Sequence, residues 1–139
     1  MDRSDEIWEQ SILPSLSEFI EIKALSPLFE PDWANLGELD ATIELFCKWL
    51  DGQEISGMSY ETHRIDDLSP VLLVTIEGTG PGEVIFYSHL DKQPSKSELW
   101  SEGLHPLRAV RRDPWLYGRG SVDDGYGGYL CATSIRLLQ

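Results

Sequence analysis

The sequence predicts an α/β domain: N-terminal helices followed by a mixed, largely parallel sheet with flanking helices. Two observations carry this prediction. Apolar residues in the first third of the chain repeat at helical spacing. From about residue 58 the pattern changes to short β-branched and aromatic runs set apart by glycine and proline. The length, 139 residues, suits one domain or a large piece of one, and the 41% of hydrophobic residues is enough for a packed core.

The elements follow in order. Residues 4–25 read as a helix that Ser4 can cap, with Ile12, Leu16, Phe19 and Ile20 forming its apolar stripe. Pro14 falls inside the stripe and predicts a kink or a separate first turn. Pro27 and Pro31 mark a loop from Ser26 to Trp33. A second helix is predicted at about 37–51, where Leu39, Ile43, Phe46, Cys47 and Leu50 share a face and Gly52 can end it. Met58 to Ile65 roughly alternates, as a strand does. Val71 to Ile76 and Val84 to Tyr87 are continuous apolar runs, the signature of strands buried on both faces. Residues 92–106 read as a long polar excursion, and 107–117 as a strand with a turn at Asp113-Pro114. A last helix is predicted from about 126, carrying Tyr129, Leu130, Thr133, Leu137 and Leu138. It has no stop signal before Gln139, so the chain is expected to be the first part of a longer polypeptide.

Charge narrows the function. The net charge is −13, and residues 1–62 hold fourteen Asp or Glu against three Lys or Arg. Such a surface repels a phosphate backbone, so nucleic acid is not an expected partner. No apolar stretch approaches the roughly 20 residues of a membrane span. The polar start, Met1 to Glu6, is not a secretory signal. Cys47 and Cys131 lie far apart with no CxxC pattern and read as free buried thiols of a cytoplasmic protein, with a disulfide between them as the alternative.

Two segments hold the chemistry. In the first, Val84 to Pro94, a predicted buried strand ends on His89, with Asp91 two residues on. Ligands of open α/β sheets gather beyond the carboxyl ends of strands. Residues i and i+2 of an extended segment point the same way, so Asp91 can bond one imidazole nitrogen and leave the other free for a metal. Alone, this segment also fits a hydrogen-bonded His-Asp pair at a strand end. In the second, Leu116 to Gly128, Asp123 and Asp124 sit in a loop with five glycines in eleven positions from Gly118. A carboxylate there can bridge two cations, although an acidic turn capping the last helix has the same pattern. A phosphate cradle does not fit, because no Lys follows the glycines and two carboxylates repel phosphate.

Together the segments resemble metallopeptidase family twenty, which includes aminoacylase, acetylornithine deacetylase, bacterial carboxypeptidase G, succinyl-diaminopimelate desuccinylase and the cytosolic carnosine dipeptidases. The shared order is His89, Asp91, Pro94, Trp100, Pro106, then Leu116-Tyr117-Gly118-Arg119-Gly120, Asp123 and Asp124. Ser88 stands where that family usually has Gly, and Tyr126 where it usually has Lys.

The resemblance implies that residues 1–139 are the N-terminal part of a dinuclear-zinc peptidase catalytic domain, truncated before the rest of that domain and its lid. It implies His89 as a terminal zinc ligand, Asp91 as the catalytic acid that orients it, and Asp123 as the carboxylate bridging two zinc ions, with cobalt or manganese as substitutes. It further implies a cis peptide between Asp123 and Asp124. The expected reaction is metal-dependent hydrolysis of an amide in a small peptide or N-acyl amino acid, in a protein that dimerises through its lid. The general base, a Glu-Glu pair, and the remaining ligands are expected downstream, so this chain alone is expected to be inactive. The competing expectation is a non-catalytic α/β interaction module or a degenerate relative. His63 and His105 read as surface or packing residues, the five tryptophans as core and lid packing, and Arg119 as electrostatic support for its loop.

Overall fold

A computed structural model describes residues 3–139. Met1 and Asp2, the first residues of the polar start, lie outside the described residues. Helix α1 covers Arg3–Ile7, a π-helical turn covers Trp8–Ile12, and α2 runs over Leu13–Glu21. Ser4 therefore lies within the helix rather than ahead of it. The π turn answers the Pro14 expectation. Proline has no N–H and crowds the carbonyl four residues back, and a wider turn relieves both. Here the Leu13 N–H reaches back five residues to the Trp8 carbonyl. The helix ends at Glu21, short of the predicted residue 25, because Ile22 turns extended (φ −76, ψ 125).

Helix α3 is one short turn, Trp33–Leu36, and α4 spans Glu38–Asp51. The α4 stripe is as expected for Leu39, Ile43, Phe46 and Leu50, joined by Thr42 and Trp49; Cys47 is only half-buried. Strands β1 (Met58–His63) and β2 (Val71–Ile76) pair antiparallel, Met58 opposite Ile76 and His63 opposite Val71. Strands β3 (Val110–Arg112) and β4 (Trp115–Tyr117) form a second hairpin around a cis Asp113-Pro114 peptide, the proline position that a type VI turn requires. Helix α5 covers Gly125–Leu138.

The chain is mixed α/β, and two of the predicted strands are corrected. The strands described here form two separate two-stranded antiparallel sheets. Parallel pairing among the described residues is a single bridge, Leu25 to Lys92. Val71–Ile76 is a strand, but it alternates: Leu72, Val74 and Ile76 face inward and are half-buried, while Val71, Leu73 and Thr75 face out. Val84 to Tyr87 joins no ladder, and its four side chains are 60–89% exposed. An apolar run states what a strand would bury. Whether anything stands on its two edges and faces depends on residues remote in sequence.

The core gathers α2, α4 and α5. Leu16, Phe19, Ile20, Leu50 and Tyr129 are almost completely enclosed. The Phe46 ring stacks on Trp49 (centroids 5.6 Å apart) and meets the Tyr129 ring edge-on at 5.0 Å. Of the last helix, Tyr129 and Thr133 are buried, whereas Leu130 and Leu138 face outward. Trp49 is the core tryptophan; Trp115 is 65% exposed and departs from the packing expectation. Both cysteines are free, as expected, but half-buried rather than enclosed. Among the described residues no helix is long and apolar enough to cross a membrane.

Tyr129 gives the fold an alkaline signature. Its hydroxyl is 2.8 Å from Ser15 Oγ. Burial, with Glu18 adding to it against the Ser15 bond, pushes its pKa up to about 12. A phenol with a raised folded pKa contributes stability that is intact below the unfolded value of about 10 and is lost as pH rises toward 12. Between those pH values the wild-type chain is expected to lose about 2 kcal/mol more stability than Tyr129→Phe. Urea unfolding at both pH values checks this; parallel losses would remove Tyr129 as the cause.

Candidate functional site

Two loops meet at the carboxyl end of α2. The first carries Ser88 to Lys92, the second Gly118 to Asp124. They are stitched directly: Ser88 Oγ donates to the Asp124 carbonyl at 3.2 Å, and the His89 N–H donates to Asp124 Oδ2 at 3.3 Å. The peptide between Asp123 and Asp124 is cis, as the resemblance implies.

All three predicted site residues come together. His89 Nδ1 lies 3.0 Å from Asp91 Oδ1 and 3.0 Å from the Asp91 carbonyl oxygen. Two acceptors on one nitrogen place a proton on Nδ1 and turn Nε2 to the opposite side. On that side, 3.5 Å away, is Asp123 Oδ1. The i, i+2 relation of His89 and Asp91 thus has the expected outcome although no strand leads into it. His89 and Asp91 side chains are each 31% exposed and Asp123 is 71% exposed, so the open side of the imidazole faces solvent.

The donor set suits a borderline metal: one imidazole nitrogen with its tautomer set by a carboxylate, and one further carboxylate. Two ligand atoms on a tetrahedral zinc, at bond lengths of about 2.0–2.2 Å, stand roughly 3.3–3.5 Å apart. The His89–Asp123 spacing falls in that range. The fit extends to a pair of ligands only. Among the described residues no group of three or more His, Cys, Asp or Glu is arranged to hold a metal ion. A cavity of about 230 Å³ opens between Trp100 and the Gly118–Asp123 loop, with Asp123 in its wall. A larger one, about 320 Å³, lies against Lys23, His105 and Arg119 and includes none of the three predicted residues.

Lys92, which the sequence reading passed over as part of a polar excursion, is 1% exposed. Its Nζ donates to the carbonyls of Phe19 (2.5 Å), Ile20 (3.2 Å) and Ile22, and it stands 4.2 Å from the Phe19 ring centroid. Phe19 and Ile20 lie in the last turn of α2, where carbonyls lack the usual partner four residues on; the Phe19 carbonyl also accepts from the Ile22 N–H at 3.2 Å, and Ile22 follows the helix. Burial pushes the Lys92 pKa down, to about 7, with the Glu38 charge acting upward; the three carbonyls and the helix dipole also favour the ammonium. Nothing local in the sequence signals this role, since the carbonyls lie 70–73 residues away.

The remaining histidines are as expected. His63 is an exposed neighbour of Glu61, and His105 Nδ1 accepts from the Leu107 N–H within its loop. Arg119 anchors its loop through its backbone N–H, which donates to the Pro106 carbonyl at 2.8 Å. Compared with known protein families, the sequence matches no family model.

Proposed function

We propose that this chain contributes His89 and Asp123 to a two-zinc centre that hydrolyses amide bonds of small peptides or N-acyl amino acids. The observation that carries the reading is the Asp91–His89–Asp123 alignment, with one carboxylate on each nitrogen of a single imidazole at 3.0 and 3.5 Å. A paired zinc site supplies a water of lowered pKa and a polarised scissile carbonyl. In this reading His89 is a terminal ligand through Nε2. Asp91 holds the ring in that orientation and sustains its basicity. Asp123, largely exposed, would supply the carboxylate shared with the neighbouring metal. This reading requires a general base, further ligands and a lid surface for dimerisation from outside residues 1–139, and a cytoplasmic setting accords with the two free thiols.

The chain of 139 residues tests this directly. It is expected to bind zinc weakly through the pair, to lose that binding on His89→Ala, and to hydrolyse no dipeptide. Calorimetric titration with zinc and a dipeptidase assay on purified protein check all three. Equal zinc binding by wild type and His89→Ala would remove the metal assignment, and turnover by this chain would remove the division of the site.

A second reading, a non-catalytic α/β interaction module, is favoured by the exposed apolar run Val84 to Tyr87. A Glu-Glu pair and a late His in downstream sequence favour the enzyme, and their absence favours the module.

A further inference from the structure

The two loops that carry His89 and Asp123 share one support. Lys92 pins the first loop twice, to the end of α2 and to the segment that follows it. Its ammonium takes the Phe19, Ile20 and Ile22 carbonyls, and its backbone runs parallel to Leu25, with the Lys92 N–H donating to the Ala24 carbonyl at 2.8 Å and the Ser26 N–H donating to the Lys92 carbonyl at 3.0 Å. The second loop rests on the same spot through its glycines. A methyl on Gly125 would lie 2.0 Å from Phe19 Cε1. One on Gly120, which sits at φ +88, would lie 2.6 Å from Phe19 Cε1 and 3.2 Å from Lys92 Cε. One on Gly118 would lie 2.4 Å from Ile20 Cγ2. The glycines therefore let the backbone on either side of Asp123 touch the Phe19–Lys92 pair.

Resting on the zinc reading above, we infer that Lys92 is a positioning residue: with Phe19 it forms a clamp at the end of α2 that sets the gap between His89 and Asp123. Lys92 touches neither of them. It acts through the backbone of its own loop, three residues beyond His89, and through the Phe19 face on which the Asp123 loop rests. A helix cap alone would stabilise the fold and leave the imidazole indifferent to its loss. A clamp transmits its loss to the ring.

The test compares Lys92→Met with Phe19→Leu and with Ile55→Ala, a core change outside the clamp. Two readouts are taken on the 139-residue chain: the His89 Nδ1–H proton resonance, visible while that proton is held by Asp91, and affinity for zinc alone. In Lys92→Met the resonance is expected to be lost and zinc affinity to fall about tenfold or more, the range for groups that orient a metal ligand. Phe19→Leu keeps an apolar side chain but removes the ring edge that meets Gly120 and Gly125, and is expected to act in the same direction. Ile55→Ala is expected to lower stability while leaving both readouts unchanged. Should Lys92→Met fail to fold, Phe19→Leu decides. An intact Nδ1–H resonance in the folded clamp variants overturns the inference and leaves Lys92 a helix cap. A wild-type chain without zinc response overturns the metal reading instead, and the resonance still decides the clamp.

Discussion

His89→Ala and Asp123→Ala, each made in the longer polypeptide that the zinc reading requires, are expected to lower amide hydrolysis roughly a thousandfold. Removing a ligand costs the site the several kcal/mol of charge stabilisation that a bound metal supplies, and each 1.36 kcal/mol is tenfold in rate. The two changes differ in what they remove. His89 offers one nitrogen, with its other nitrogen already engaged by Asp91 at 3.0 Å. Asp123 is open to solvent and, in the zinc reading, would share its two oxygens between metals. Asp123→Ala is therefore expected to reduce metal content by more than one equivalent, and His89→Ala by about one. Steady-state kinetics with metal analysis of the same samples checks both. Near-wild-type rates with normal metal content in either variant would sink the assignment.

Phe46→Ala is expected to cost about 3–5 kcal/mol of stability, the range for emptying a buried aromatic site. Phe46 fills the space between α4 and α5. It stacks on Trp49, meets Tyr129 edge-on, and lies where a methyl on Gly128 would come within 2.8 Å of its ring. Closing the void would require α5 to move toward α4. That movement is opposed by the hydrogen bond of Tyr129 to Ser15 and by Gly125, already against Phe19. For a chain of this size the midpoint of thermal unfolding should fall by roughly 10–15 °C. Thermal and urea unfolding followed by circular dichroism provide the measurement; a loss below about 1 kcal/mol would show that the aromatic cluster is not the centre of the core.

The same cluster links stability to the site. Phe19 belongs both to the core and to the clamp on which the Asp123 loop rests. A core change that shifts α2 will therefore shift the loops carrying His89 and Asp123.

What the sequence determined by itself was local. The period of Leu16, Phe19 and Ile20, and of Leu39, Ile43, Phe46 and Leu50, places two helices and their buried faces within a few residues of where they are found. Asp113-Pro114 marks the turn of the second hairpin. The spacing of His89 and Asp91 puts carboxylate and imidazole side by side. Each of these follows from backbone geometry over two to four residues. Tertiary structure decided the rest. It brought Asp123 to the free nitrogen of His89 across 34 positions and buried Lys92 against carbonyls 70–73 residues away. It paired Val71–Ile76 on one edge with β1 and left Val84 to Tyr87 exposed although that run is as apolar as a core strand. Ladder partners, helix-end caps and ligand gaps are set by which distant segments meet, and no periodicity within a segment encodes that meeting.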